Sequence, residues 1–346
     1  MTAEDQTQST KRRRNRVAIQ PIHLQERDLD MLLSISHGRY LSVSALEWLH
    51  YPGWRECYKA YLDDRKIDTS ATYYPAPKLY KRLRALREGP TPFVYRLARS
   101  VERATVVFNR LLDAYALTEA GAELLCAHRG FELAQLWYEE PRKRASKNFE
   151  HSVAIGTFYA ALRAAFQFGG QELADWLGDH LLASRDPEGK GPRFDRVAVV
   201  GRTKDLPVLP DATFTLAGMR YFVEIDRGTT NLDSWGEKAR AYEVYRRSSK
   251  LTARYATDSF TVLIVAPAEA RMKRIAEEIV KVTRHPSPAY LFTTEDRIHP
   301  TTIRPGWKAL TGVEWQRRKV VDRLVELPEQ LQFTSRPLWR NAEKPA

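Results

Sequence analysis

Apolar and polar positions recur at the spacing of short amphipathic helices in residues 21–50 and 77–88. Two such helices are predicted within residues 21–50. A third spans about 77–88, bounded by prolines at its start and by Gly89-Pro90 at its end. Its apolar stripe consists of Leu79, Leu83 and Leu86. Residues 51–76, rich in Tyr, Asp and Pro, are expected to form an inserted loop or a short extra helix.

The third predicted helix is basic on the face opposite its leucines. Lys78, Lys81 and Arg84 lie on that face, with Arg82 and Arg87 at its flanks. An apolar back and a row of cations in front suit a recognition helix in the major groove of DNA, although a solvated surface helix has the same pattern.

The segment that follows predicts two strands and a closing helix. The strands are PFVYRLA and the beginning of LLDAYALTEAGAELL, and Thr118 is the expected N-cap of the helix. The string YALTEAG resembles the end of a winged-helix domain. Residues 19–130 are therefore predicted to form a winged helix-turn-helix domain that binds DNA.

Beyond residue 148 the pattern becomes that of an α/β domain. A strong helix precedes three strands, RFDRVAVVG, LPDATFTL and MRYFVEIDR. A helix at 233–250, the continuously apolar strand SFTVLIVAP, a helix at 268–283 and the strand AYLFTT complete the unit. This order predicts a mixed sheet within residues 148–300. Residues 131–147 are expected to be a linker and 301–346 a C-terminal extension without clear periodicity.

Composition places the chain among soluble globular proteins. It has 346 residues, 43% hydrophobic and 28% charged, which is enough for two domains. No apolar run of about 18 residues predicts a membrane span, and the polar N-terminus lacks the apolar core of a secretory signal. Only Cys57 and Cys126 are present, which excludes a disulfide framework or a cysteine-rich zinc site. We therefore expect a cytoplasmic protein with no membrane partner.

The net charge of +12 favours a polyanionic partner, because each neutralised phosphate releases condensed counterions. Residues 1–18 are expected to form a disordered basic arm. Its cations include Lys11, Arg12, Arg13 and Arg14. A solvated tail would have the same composition, but the basic helix at 77–88 favours DNA as the partner.

Three carboxylates interrupt strand sequence that is otherwise apolar. Glu224 and Asp226 are two residues apart and share a face, and a hairpin with Gly218 in its turn would bring Asp211 beside Glu224. Acids this close repel one another and raise each other's pKa values. A divalent cation would relieve the repulsion, and hard oxygen ligands favour Mg²⁺ or Mn²⁺.

The string Pro210-Asp211, twelve further residues and Glu224-Ile225-Asp226 is similar to the PD-(D/E)XK nuclease signature. The resemblance implies that Asp211 and Glu224 hold a metal ion. The lysine expected two residues past the glutamate is replaced here by Asp226, which could help to hold a second ion. Lys238 on the next helix is the candidate substitute for the missing lysine.

In order along the chain, FEHSVAIGTFY, LPDATF, YFVEIDRGT and WGEKARAY resemble the replication-relaxation family of plasmid and integrative-element proteins. The resemblance covers roughly residues 20–260 and implies a DNA-processing role in plasmid replication or conjugative mobilisation, on a nuclease-like fold. It also implies Glu150 as a fourth acidic position of the metal site. We interpret the neighbouring His151 as a satisfied, half-buried histidine.

Two hypotheses about function remain open on the sequence alone. The first is a metal-dependent DNA endonuclease or nickase with Asp211, Glu224, Asp226 and Lys238 as catalytic residues. The second is a DNA-binding replication initiator or transcriptional regulator with an inert nuclease-like domain. No His-x-His pair or phosphate-loop string occurs, which argues against a paired-histidine relaxase and an ATPase. A homodimer on palindromic DNA and contacts with other replication or mobilisation proteins are further expectations.

Overall fold

The computed structural model describes most of the two predicted domains. The described residues are 22–51, 77–98, 106–107, 110–111, 113–139, 149–167, 173–184, 191–283, 289–300, 303, 308–310 and 324–326. The predicted basic arm with Lys11, Arg12, Arg13 and Arg14 lies outside these residues, as do segment 52–76 and most of the C-terminal extension.

The described residues of the N-terminal unit form four α-helices and a small antiparallel sheet. Its helices are α1 (Glu26–Gly38), α2 (Val43–His50), α3 (Pro77–Glu88) and α4 (Glu119–Arg129). Its strands are β1 (Leu41–Ser42), β2 (Val94–Ala98), β3 (Val106–Val107), β4 (Arg110–Leu111) and β5 (Asp113–Leu117). Strand β5 pairs antiparallel with both β1 and β2, while β3 and β4 pair with each other as a ribbon between β2 and β5 in the chain.

Local sequence explains the boundaries of these helices. The Ser42 hydroxyl accepts a hydrogen bond from the Ala45 amide at the start of α2, and the Thr118 hydroxyl accepts one from the Gly121 amide at the start of α4. The leucine stripe of α3 is fully buried. The helix predicted at 77–88 and the N-cap predicted at Thr118 are thus confirmed.

The described part of the second unit is built on a seven-stranded mixed sheet. Its helices are α5 (Phe149–Gln167), α6 (Asp179–Leu182), α7 (Leu232–Arg246), α8 (Ser249–Tyr255) and α9 (Glu269–Val282). Its strands are β6 (Ala174–Gly178), β7 (Asp195–Val197), β8 (Leu206–Val208), β9 (Ala212–Leu216), β10 (Met219–Ile225), β11 (Phe260–Ala266), β12 (Tyr290–Thr294), β13 (Lys308–Leu310) and β14 (Leu324–Glu326).

The sheet order is β14-β13-β12-β11-β10-β9-β6, and β7 and β8 form a separate two-stranded ribbon. Strands β10, β11 and β12 are parallel, and the flanking strands are antiparallel. Strand β11 is buried along its whole length, as its apolar sequence predicted. The prediction of a mixed α/β chain is confirmed.

Two hydrophobic cores sandwich this sheet. One face packs on α5 and the N-terminal helices, with Tyr221 and Val223 of β10 pointing into that core. The other face packs on α7 and α9, with Phe222 of β10 pointing there. Alternation along β10 therefore directs Glu224 toward α7 and α9.

Helix α5 joins the two units. The position of a Cβ on Gly156 would lie 2.3 Å from the Tyr40 carbonyl oxygen and 2.6 Å from that of Gly38. Only a glycine permits this approach of α5 to the turn between α1 and β1. The two units consequently share one continuous apolar core.

Several elements were absent from the sequence prediction. Strand β6 is a half-exposed edge strand with a register shift, so its sequence lacks a clean alternation. Strands β13 and β14 extend the sheet into the C-terminal extension. The helix predicted at 233–250 ends earlier, at Arg246, where the Ser248 hydroxyl donates to the Tyr245 carbonyl. Within the described residues, no helix is long and apolar enough to cross a bilayer.

Candidate functional site

Two of the three carboxylates of the sequence analysis, Asp211 and Glu224, lie close together at one end of the mixed sheet. The hairpin predicted between Leu216 and Met219 is present, with Ala217 and Gly218 both at positive φ in a two-residue turn. Asp211 immediately precedes β9, and its amide donates to the Val223 carbonyl at 2.9 Å. The hairpin therefore places Asp211 beside the end of β10.

Glu224 is almost completely buried, with 1% of its side chain exposed. Both of its carboxylate oxygens are engaged by α7: Lys238 Nζ donates to Oε2 and the Tyr242 hydroxyl donates to Oε1, each at 2.5 Å. Burial raises the pKa of Glu224, and the charge of Lys238 opposes part of that rise. Burial alone would lower the pKa of Lys238, but the carboxylates of Glu224 and Asp211 outweigh it and raise that pKa.

Asp211 joins the sheet to α5. Its Oδ2 accepts a hydrogen bond from the Ile225 amide at 2.7 Å, and its Oδ1 lies 2.9 Å from His151 Nε2. Burial alone would lower the pKa of His151, but the Asp211 carboxylate outweighs it and the pKa is raised. Asp211, His151 and Lys238 are all partly exposed, so solvent reaches this edge of the site.

Asp226 is neutralised separately from Glu224. The guanidinium of Arg271, on α9, donates to Asp226 Oδ2 at 2.7 Å and Oδ1 at 3.2 Å, and also donates to the Thr230 carbonyl. The Asp226 side chain is fully buried. Asp226 thus holds α9 and the loop after β10 together, in an ion pair with both oxygens used.

Asp179, at the start of α6, is a second carboxylate near His151, in addition to Asp211. Asp179 donates its backbone amide to the Asp211 carbonyl at 2.7 Å. Its carboxylate accepts from the His180 amide at 2.7 Å and lies 3.4 Å from Arg39 of the N-terminal unit. Although burial alone would raise the pKa of Asp179, His180 and Arg39 outweigh it and lower that pKa.

The basic face of α3 is the other candidate surface. Lys78, Lys81 and Arg84 are exposed, opposite the buried leucines. Arg84 is paired with Glu88 at 2.7 Å, and Arg87 also contacts Glu88.

Arg82 differs from the other α3 cations. Its guanidinium donates to both oxygens of the buried Asp28 on α1 and to the His23 carbonyl. Arg82 therefore ties α3 to α1, a structural contact that the sequence pattern of α3 did not indicate.

Comparison with known proteins adds a family to this geometry. The family model described as replication-relaxation matches residues 64–262, more than half of the chain. The chain belongs to the replication-relaxation family. No curated protein and no solved structure matches it. Replication-relaxation membership indicates a role in the replication or mobilisation of plasmids or other mobile elements.

In this replication-relaxation protein the predicted site residues fall into two groups. Asp211, Glu224 and Lys238 meet, whereas Asp226 is paired with Arg271. Glu150 is half-buried in the first turn of α5, next to His151. Among the described residues, no three His, Cys, Asp or Glu side chains form a group that could hold a metal ion. The catalytic and metal-binding roles of these residues stay predictions.

Sequence reasoning did not include three residues of the site: His151, Tyr242 and Arg271. The interpretation of His151 as a satisfied, half-buried histidine is confirmed, but the sequence did not indicate that its partner is Asp211. Tyr242 follows Lys238 by four residues, so helical spacing could have identified it. Arg271 carried no signal, because it reaches Asp226 across 45 residues of sequence.

Proposed function

We propose that this protein binds DNA through a winged-helix N-terminal unit during the replication or mobilisation of plasmid or other mobile-element DNA. The supporting observation is the exposed row of Lys78, Lys81 and Arg84 on a helix whose opposite face is fully buried. The described elements follow the order α1, β1, α2, α3, β2, the β3–β4 ribbon and β5. This order suits a winged helix, with α3 as the recognition helix and the ribbon as the wing.

The cations of α3 would contact DNA phosphates. The buried leucine face would hold α3 in a fixed orientation relative to the rest of the N-terminal unit. Each phosphate neutralised adds about 0.9 to the slope of log affinity against log salt. Neutralising Lys78, Lys81 and Arg84 together should therefore reduce the slope by up to about 3.

The test measures the salt dependence of duplex binding by the full chain, for the wild type and for the triple variant Lys78→Gln/Lys81→Gln/Arg84→Gln. The double variant Lys78→Arg/Lys81→Arg keeps the charge and is the matched control. The proposal requires a reduced slope in the neutral variant, an unchanged slope in the control, and equal thermal stability. Equal slopes in all three proteins would refute α3 as the DNA-binding face.

A second candidate function is metal-dependent hydrolysis of a DNA phosphodiester at Asp211, Glu224 and Lys238. The observation that favours it is Lys238, which reaches Glu224 from α7 although the signature position for a lysine holds Asp226. The donor set suits Mg²⁺ or Mn²⁺, because such ions are commonly held by one or two carboxylates and complete their coordination with water and phosphate oxygens. Asp211 and Glu224 would hold the ion. Glu150, the third predicted ligand, lies in the first turn of α5 and does not form a three-residue metal-binding group with them.

The chemistry that a bound ion would supply is polarisation of the phosphate and a lowered pKa of the attacking water. The chain's own groups have distinct tasks. Lys238 would orient the water or stabilise the charge that develops on the phosphate, and the Ile225 amide and His151 fix the orientation of Asp211. Arg271 forms an ion pair with Asp226, so the Asp226 carboxylate does not add its negative charge to that of Asp211 and Glu224.

A different observation favours an inert site. The charges of Glu224 and Asp226 are already compensated by Lys238 and Arg271, and Asp211 accepts bonds from His151 and Ile225. The carboxylates therefore do not require a metal to coexist. A metal ion would have to compete with Lys238 for Glu224.

Two measurements distinguish a hydrolytic site from an inert one. Supercoiled plasmid is incubated with the protein and Mg²⁺ or Mn²⁺, and binding of the same ions is measured by calorimetric titration. An active site predicts nicking and ion binding that Asp211→Asn and Glu224→Gln abolish, and nicking that Lys238→Gln reduces. Absence of nicking and of ion binding, with DNA affinity intact, would leave the DNA-binding function alone.

A further inference from the structure

The two-stranded ribbon β7–β8 carries an exposed loop that the functions above do not use. Strands β7 and β8 pair antiparallel, Asp195 opposite Val208 and Val197 opposite Leu206. Residues 198–205 connect them and are here called the ribbon tip. Except for the buried Val199, every residue of the ribbon tip is exposed.

The base of the ribbon is fixed to the second core. Val197 and Val208 are buried in that core. Asp195 accepts a hydrogen bond from the Tyr245 hydroxyl at 2.6 Å and two from the guanidinium of Arg254 at 2.7 and 2.9 Å. The ribbon tip therefore projects from a rigid support.

The ribbon tip contacts α7, the helix that supplies Lys238 to the candidate hydrolytic site. Arg202 forms an ion pair with Glu237 of α7, the residue before Lys238. Lys238 in turn holds Glu224. The base of the ribbon, where β8 ends at Val208, is three residues from Asp211 in the chain.

The ribbon tip presents one exposed large apolar side chain, Val200, and one lysine without a partner among the described residues, Lys204, which is followed by the exposed Asp205. Val200 is fully exposed, whereas Tyr80 and Leu133, the other exposed large apolar side chains among the described residues, are 41% and 37% exposed. Next to Val200, Gly201 is at φ +82° and Arg202 donates its amide to the Val199 carbonyl, so a tight turn presents Val200 outward. Lys204 is exposed and has no hydrogen bond or ion pair with another described residue.

We propose that the ribbon tip is a second DNA contact, in which Lys204 binds a backbone phosphate and Val200 packs against base or sugar edges in a groove of duplex DNA. Two-stranded ribbons fit the major groove, and apolar contacts there recognise the thymine methyl group. The contact would hold the duplex next to Lys238 and Asp211. This inference rests on the proposed DNA-binding function.

The experiment measures duplex affinity of the full chain against salt concentration for wild type, Lys204→Gln and the charge-retaining control Lys204→Arg. One lost phosphate contact lowers the slope by about 0.9 and the affinity at 0.15 M salt by roughly fivefold. In parallel, a benzophenone amino acid is placed at Val200, and as a control at the exposed Asp258, which lies at the end of β11 opposite to that of Glu224.

The inference is supported if the slope of log affinity against log salt is reduced for Lys204→Gln and unchanged for Lys204→Arg. It also requires that DNA is crosslinked from position 200 and not from position 258. If wild type binds DNA but Lys204→Gln keeps the full slope and position 200 gives no DNA crosslink, the ribbon tip is not a DNA contact and the α3 proposal stands. If wild type binds no DNA at all, both proposals fall together.

Discussion

Glu224 shows how two side chains of one helix stabilise a buried carboxylate. Lys238 and Tyr242 are four residues apart and each engages a different oxygen. Hydrogen bonds to charged groups contribute about 1.5–3 kcal/mol. Because the pKa of Glu224 is already raised by burial, removing Lys238 should raise it further and favour the protonated acid.

We therefore expect Lys238→Met to lower the free energy of unfolding by about 1–3 kcal/mol at pH 8, and by less at pH 5. A carboxyl with a raised folded-state pKa is stabilising at low pH, and that contribution is lost as the pH rises. Urea unfolding at both pH values measures the difference. Tyr242→Phe is the comparison variant, and the double variant should be non-additive by about 0.5 kcal/mol or more because both residues share Glu224. Strict additivity would contradict the shared role.

Two arginines of α3, Arg82 and Arg84, differ in their contribution to stability. Arg82 is paired with the buried Asp28, whereas Arg84 is exposed and paired with Glu88 on the surface. Arg82→Gln leaves Asp28 buried without its cation and should lower the free energy of unfolding by about 3 kcal/mol. Arg84→Gln should change it by less than about 0.5 kcal/mol. Denaturant unfolding of the two variants checks this; equal stabilities would rule out a structural role for Arg82.

At the scale of elements, α5 and α7 each contain a glycine in an interior position, but in different surroundings. A Cβ at Gly156 of α5 meets two backbone carbonyl oxygens below 3 Å. A Cβ at Gly236 of α7 meets only Val282 Cγ1 at 3.6 Å, an ordinary contact. The helical propensity of alanine is the same in both cases, so packing decides the outcome.

Gly236→Ala should stabilise the protein by up to about 1 kcal/mol, because alanine is the better helix former. Gly156→Ala should destabilise it by about 2–3 kcal/mol, because neither carbonyl can move without shifting the turn between α1 and β1. Thermal unfolding of both variants is the measurement. A stabilised Gly156→Ala would mean that α5 does not approach this turn closely.

At the scale of the whole molecule, the shared core couples the stability of the two units. His37 contacts Tyr159 of α5, and His50 bonds to Ser34 of α1. Burial, aided by the charge of Arg163, lowers the pKa of His37 to about 4 and that of His50 to about 3. Both histidines are thus neutral in the folded protein at neutral pH.

As the pH falls below about 6.5, the unfolded chain binds protons at these histidines before the folded chain does, so stability is lost with acid. Each histidine contributes about 1.4 kcal/mol per pH unit between its unfolded and folded pKa values. We expect the free energy of unfolding to fall steeply from pH 6.5 to 4, in one transition for both units. Urea titrations over this range test it, and His37→Gln and His50→Gln should each flatten the curve. A flat wild-type curve would show that the folded protein accepts these protons.

Local sequence by itself determined much of this protein: the helix at 77–88 with its leucine and cation faces, the hairpin that brings Asp211 to Glu224, and the central apolar strand β11. Such features depend on spacings of two to four residues, which the sequence displays directly. The motif order also predicted the replication-relaxation family, which is confirmed. Edge strand β6 was not predicted because its register shift interrupts the alternation of buried and exposed positions.

Only the tertiary structure decided how the charges are paired. Lys238 reaches Glu224 across 14 residues, Arg271 reaches Asp226 across 45 and His151 reaches Asp211 across 60. Three acids in strand sequence predict a metal ion as long as no compensating cation is visible. The compensating groups here lie on helices, and where those helices pack depends on the order of the strands in the sheet. Long-range pairing of this kind leaves no periodic signal in the chain, since the partners are neighbours only after the sheet and its helices have assembled.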